Sequence, residues 1–161
     1  MTVRARWRTD AGGALVELAL VLPVLILVFV GTVDFGRVFY ASQSLTNAAR
    51  AGAQYGAASP AQSGDFAGME ATAVAATNTT GITAAASRLC QCASDTGVFS
   101  ATTPVANTCT APAAVSCPGG GHLVITVTVT TTKTFTTIMA GGLPGFMQSM
   151  TLTRSATQRA Q

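Results

Sequence analysis

From Leu18 to Val33 the chain runs through sixteen consecutive residues without a charge. Wound as a helix, they rise about 24 Å. Traced back to Ala11, the stretch has twenty-three residues and rises about 35 Å, with one carboxylate, Glu17, inside it. The hydrocarbon core of a bilayer is about 30 Å thick, so this block is long enough to span one. Arg4, Arg6 and Arg8 precede it and Asp34 follows it. The positive-inside rule then puts the N-terminus in the cytoplasm and residues 41–161 outside.

Three readings compete for this block. A cleaved secretory signal peptide fits the basic tip but not Glu17, and no small-x-small site follows closely after Val33. A plain single-pass anchor fits the length. The third is a signal resembling that of type IV prepilins, cut before the apolar run rather than after it. There a short basic leader ends in Gly, and a Glu stands five residues beyond the cut. A cut between Gly12 and Gly13 makes Glu17 the fifth mature residue. An acid within a membrane helix costs about 2.5–3.5 kcal/mol on insertion scales, so Glu17 needs a partner. The α-amino group released at Gly13 lies one helical turn away, and a neighbouring subunit offers another. The alternative is that Glu17 snorkels to the cytoplasmic interface. Pro23 stands mid-span and removes one helical hydrogen bond, which should bend the helix.

Beyond the span, Phe39 and Tyr40 fall where membrane–water interfaces favour aromatics. Asp34 and Arg37 are three apart and can pair on one helical face. No strong breaker interrupts the helix as far as Ala58. Leu45, Ala48, Ala49, Gly52, Ala53 and Gly56 recur every three or four residues and form a narrow face of small side chains. Such a face packs closely, on the protein's own sheet, on other helices in a filament core, or on both at different levels along the helix. Ser59-Pro60 and Ser63-Gly64 mark a turn, and Asp65 is placed to cap a second helix through Met69, Ala73 and Ala76. A short helical piece is expected near Thr83–Ser87, then a strand at Arg88–Ala93.

From Leu123 to Phe135 the odd positions are mostly apolar and the even ones, after Val124, are all Thr. That alternation predicts a half-buried strand with a Thr-covered outer face. Met150 to Thr157 repeats it, with Met150, Leu152 and Ala156 inward. Gly141-Gly142-Leu143-Pro144-Gly145 connects the two. The expected architecture is α+β and pilin-like: a long N-terminal transmembrane and periplasmic helix packed on a small antiparallel sheet. Its parts are a basic leader, residues 1–12; the long helix, 13–57, crossing the membrane at about 14–34; and an extracytoplasmic domain, 58–161.

Cys90, Cys92, Cys109 and Cys117 all fall in the outside portion, where oxidation is permitted. Disulfides are the expectation. A four-thiolate zinc site is the alternative, but the C-x-C spacing is tighter than that of the usual knuckle. Cys90 and Cys92 point to one face of a strand and are too close to bridge easily. Two pairings remain: 90–117 with 92–109, which suits a hairpin-like loop, or 90–109 with 92–117. Either would hold the Gly/Pro/Ser/Thr-rich loop 94–121, which has little else to fix it.

Only 9% of residues are charged, and Arg and Lys cluster nowhere beyond the N-terminal tip, which excludes a basic nucleic-acid-binding domain. No nucleophile elbow, phosphate loop, metalloprotease helix or carboxylate pair is present. His122 beside three glycines reads as solvent-exposed, and Glu70 and Asp95 have no identifiable partner in the sequence. A non-enzymatic protein without cofactor or metal is expected.

The segment GGALVELALVLPVLILVFVGTVDFGRVFY, with SLTNAARAGAQYGA after it, resembles the TadE family of minor pilin-like proteins (pseudopilins) of the tight-adherence, or Flp, pilus. The shared features are the Gly before the run, Val16-Glu17, Pro23, Asp34 to Arg37, and Asn47 to Gly52. The resemblance covers about residues 11–56 closely and returns more loosely at the C-terminus. It implies a single-pass protein of the inner membrane, processed by a prepilin peptidase at Gly12–Gly13. It implies as partners other Tad/Flp pilins and pseudopilins, the inner-membrane assembly platform and membrane lipid. An uncleaved periplasmic assembly factor and a membrane-tethered binding or adhesion module are the other readings.

Overall fold

A computed structural model describes residues 10–94, 105–106, 117, 121–138 and 149–160. Its elements are helix α1 (Asp10–Ala57), a 3-10 turn (Gln62–Gly64), helix α2 (Phe66–Ala75), and strands β1 (Ile82–Ala93), β2 (Val105–Ala106), β3 (His122–Thr136) and β4 (Ser149–Arg159). The fold is α+β: one long apolar helix against a small antiparallel sheet ordered β2-β1-β3-β4.

α1 is a single helix of 48 residues that continues through Pro23. Residues 12–29 are exposed on all sides. The half beyond the apolar run is different. Leu45, Ala48, Ala49 and Ala53 are fully buried. The face of small residues therefore packs on this protein's own sheet and on α2, which settles the choice left open for residues 45–56. At Gly52 the helix approaches the backbone of α2: an added Cβ would lie 2.7 Å from the Met69 carbonyl oxygen and 3.2 Å from Val129 Cγ1. Ala53, Met69, Ala73, Val127 and Val129 form the core, with Phe66, Ala84, Ala86 and Ala156 packed around it.

α2 begins where its cap was expected. Asp65 Oδ1 accepts from the Gly68 N–H at 2.9 Å, and Oδ2 accepts from the Tyr55 hydroxyl at 2.8 Å. The Gly68 N–H, then the Tyr55 hydroxyl, hold the Asp65 carboxyl below its ordinary range. The same bond, with the carboxylate's charge, pushes the Tyr55 hydroxyl up. Tyr55 thus ties α1 to the start of α2.

β3 carries the alternation read from its sequence. Val127, Val129, Thr131 and Phe135 are buried, and Thr134 and Thr136 are exposed. Thr131 is an apparent misfit on the inner face, yet it is fully buried. Its hydroxyl donates to the Leu45 carbonyl oxygen at 2.9 Å, so the polar atom is satisfied where a Val would have left α1 unpinned. Outside, Thr128 and Thr157 pair their hydroxyls across β3 and β4 at 3.0 Å.

β1 departs from expectation. The segment expected as a helical piece, Thr83–Ser87, is strand, and β1 runs unbroken from Ile82 to Ala93. It pairs along its whole length with β3, from Ile82 opposite Lys133 to Ala93 opposite His122. Alanine favours helix by under 1 kcal/mol per residue over most residues, too little to resist a full ladder of strand pairing. Ala84 and Ala86 are also small enough to sit beneath the helices. Gly81, at φ 75°, makes the turn into the strand in a conformation that favours glycine. Glu70, which had no visible partner, accepts the Ala86 N–H at 3.0 Å and covers part of the edge of β1.

Cys92 is bonded to Cys117, with Cα atoms 5.5 Å apart. This corrects the nested pairing of Cys90 with Cys117 and is compatible only with the second one. The reason is the register: β1 ends at Ala93 opposite His122, so the chain entering β3 approaches Cys92 from the side on which β1 terminates. Cys90 is disulfide-bonded too, and Cys109 lies outside the described residues. Loop 94–121 is held by more than cysteine, since Val105 and Ala106 pair with Cys90 and Leu89. Asp95 and the connection 141–145 lie outside the described residues as well. Native protein should therefore take up no thiol-alkylating reagent until reductant is added. Loss of one bridge should cost about 2–5 kcal/mol, read as a lower unfolding midpoint.

Candidate functional site on the N-terminal helix

Two groups of residues on α1 carry the chemistry. The first is its N-terminal end. α1 starts at Asp10, so Gly12 and Gly13 lie within its first turn, ahead of the apolar run. A Cβ added at either glycine would meet nothing within 4 Å, so the backbone here is open to an approaching protein. Glu17 is exposed one turn further on and has no ion-pair partner among the described residues. Gly13 and Glu17 are four apart on one helical face, about 6 Å along the axis. The structure thus brings Gly12, Gly13 and Glu17 together. It sets them far from Cys92 and its partner Cys117, at the other end of the sheet, some 12 strand positions and roughly 40 Å beyond Phe135.

The second group lies where the apolar run ends. Asp34 is buried and its Oδ1 accepts from Arg37 Nη1 at 2.9 Å, the pair expected from their spacing. Its role is larger than that pair. Both carboxylate oxygens also accept the Ile138 N–H, at 3.1 and 2.9 Å. The Arg37 guanidinium lies over the Phe135 ring, 5.0 Å from its centroid. Asp34 thus clasps the end of β3, 104 residues away in sequence, to the helix. One local signal pointed here: the charged Asp34 standing directly after an uncharged run, where an unpartnered carboxylate would be costly. Its strand partner had no signal at all, since a backbone N–H belongs to every residue.

Asp34→Ala should release this clasp. It strips an acceptor from a backbone N–H and from a guanidinium, and hydrogen bonds to charged groups are worth about 1.5–3 kcal/mol. The domain's unfolding midpoint should fall accordingly. Asp34→Asn, which keeps one acceptor oxygen, should lose less.

Between α1 and the chain after α2 lies an uncharged polar cavity of about 250 Å³ lined by Tyr40, Gln43, Ser44, Asn47, Thr77 and Asn78. The Ser44 hydroxyl meets those of Thr77 and Thr79 at 2.6 and 2.9 Å and ties this segment to α1. On β1, Arg88 is buried, with Nη1 3.3 Å from Ser63 Oγ and its guanidinium over the Phe66 ring. His122 is exposed, at the start of β3. Among the described residues, no three His, Cys, Asp or Glu side chains are grouped to hold a metal ion.

α1 is apolar and long enough to cross a membrane, and no residue of its most apolar stretch is buried. No curated protein and no solved structure is significantly similar to the chain. Residues 12–54 match the family model described as TadE-like protein. The matched segment begins at the glycine of the expected cut, takes in Glu17, Pro23 and the Asp34–Arg37 pair, and ends within the buried face of α1. Over that segment, the chain is similar to TadE-like proteins.

Proposed function

We propose that this protein is a minor pilin-like subunit, a pseudopilin, that takes part in assembling a Tad/Flp pilus after a prepilin peptidase removes residues 1–12. The observation that supports this most is the division of α1. Its outer half is consumed by packing within the subunit, while residues 12–29 are exposed on every side and carry Glu17. Lipid satisfies that surface in the membrane, and neighbouring helices would satisfy it in an assembly. The protein acts by inserting and associating, not by catalysis, and needs no cofactor. Its partners in this reading are the peptidase, other Tad/Flp pilins and pseudopilins, and the inner-membrane assembly platform. The N-terminus faces the cytoplasm and the sheet lies outside.

Cleavage requires the Gly12–Gly13 bond to leave the helix. Glycine disfavours helix by about 0.8–1.0 kcal/mol relative to alanine, so two in succession ease local unwinding at this bond. The test is the intact mass and N-terminal residue of protein extracted from membranes of cells with an active prepilin peptidase. Gly13 as first residue is expected, and Gly12→Val should block the cut. A retained Met1–Gly12 segment would sink this reading. It would favour the uncleaved assembly factor, for which the unbroken helix through both glycines is the supporting observation.

A further inference from the structure

The uncharged part of α1 is shorter than the bilayer core it would cross. From Gly13 to Phe29 there are 17 residues exposed on all sides, a rise of about 26 Å. Counted from Leu18, past the carboxylate, to Val33, the uncharged length is 16 residues and about 24 Å. A bilayer core needs about 30 Å, and any tilt shortens the helix further. Val30 and Gly31 are half-buried, and Thr32 and Val33, which end the run, are exposed again. The run gives way at Asp34, to which the end of β3 is bonded, so protein and hydrocarbon meet at one height.

The end of β3 stands at that height. Ile138 is held to α1 through its N–H on Asp34, yet its side chain remains exposed. Phe35, one residue along from Asp34, is exposed too. The only charges nearby on α1 are Asp34 and Arg37, which neutralise each other at 2.9 Å. Below them nothing charged faces outward until Glu17.

We infer that the base of the extracytoplasmic domain, at Ile138 and Phe35, is seated in the outer leaflet of the bilayer, so that the sheet is held to the membrane at a second point beside the helix. The partner is the acyl region of lipid, continuous with the surface that α1 already offers it. The Asp34 clasp is what allows this, because it carries β3 down to the helix while removing an unpaired carboxylate from the leaflet. Arg37, on the rim, is left at the level of the phosphates. This inference rests on α1 being a membrane span, and it does not depend on cleavage or on pilus assembly.

The test is depth-resolved tryptophan quenching of the full chain reconstituted in phosphatidylcholine vesicles with acyl chains brominated at defined positions. The one native tryptophan, Trp7, is first replaced by Phe. Single tryptophans are then placed by Phe29→Trp in the span, Ile138→Trp at the base and Ser155→Trp on the exposed sheet. Thr136→Trp, at the end of β3, supplies a second reading of the base. Folding of each variant is checked by resistance of its cysteines to alkylation. The expected result is a loss of Ile138→Trp fluorescence comparable to that of Phe29→Trp, with blue-shifted emission, and none for Ser155→Trp. Quenching at Ile138 and Thr136 no greater than at Ser155, with Phe29→Trp quenched, would overturn the inference alone and point to a bilayer thinned around the short span. An unquenched Phe29→Trp would overturn the membrane span and this inference with it.

Discussion

Gly52→Val should detach the long helix from the sheet. Its first added carbon would stand 2.7 Å from a backbone carbonyl oxygen, 3.0 Å from Ala73 Cβ and 3.2 Å from Val129 Cγ1. The nearest atom belongs to the backbone of α2 and has no rotamer to change. Relief requires α1 to move away from α2 and β3 together, in a core where Ala53, Met69, Val127 and Val129 are fully buried. Overpacking of this kind costs about 1–3 kcal/mol and at times more. Against a total stability of about 5–15 kcal/mol, that is a large fraction. The expected result is a clearly lower unfolding midpoint in detergent and cleavage of the domain by protease at temperatures the parent withstands. Membrane extraction behaviour should not change, because the apolar run lies elsewhere on α1. Gly31→Val is the control: a Cβ there meets nothing within 4 Å, so the domain should melt as the parent does.

Glu17→Val should leave the protein inserted and processed but abolish its assembly. The carboxylate costs about 2.5–3.5 kcal/mol near the bilayer interior, so its removal makes insertion easier. Cleavage should largely persist, since the bond lies five residues upstream. Within one subunit Glu17 is exposed and has no ion-pair partner among the described residues. Any partner it gains on assembly would come from the released α-amino group, its own or a neighbour's. Removing one member of a poorly solvated charge pair costs about 3–5 kcal/mol. At 1.4 kcal/mol per decade this shifts a subunit equilibrium by more than about a hundredfold. Cells with this variant as their only copy should hold mature protein in the membrane and make no pili. Normal piliation would show that Glu17 is only an interfacial residue.

The features that could be read before any coordinates are those written in neighbouring residues. A run without charges from Leu18 to Val33 is one helix whatever it packs against, and α1 contains it whole. The odd–even alternation of β3 is a property of consecutive side chains, and burial follows it from Val127 to Val129 to Thr131. Asp65 caps α2 because a carboxylate three residues before Gly68 can reach that N–H with no help from elsewhere. Asp34 and Arg37 pair for the same reason, being three apart on one helix.

Tertiary structure decided whatever depends on residues that are distant in the chain. Thr83–Ser87, with its three alanines, is compatible with a helix by propensity, and only the ladder to Thr128–Thr132 makes it strand. The choice between two cysteine pairings turned on where β1 ends relative to the entry into β3, a matter of register and not of spacing. The small-residue stripe of α1 permitted either a neighbour's helix or its own sheet, and a sheet that presents Val127 and Val129 at that level claimed it. Asp34 read as one half of a helical ion pair, but its second partner is the N–H of Ile138. A backbone donor has no side-chain identity to recognise, so only the folding of β3 back to the foot of the helix could bring that N–H to the carboxylate.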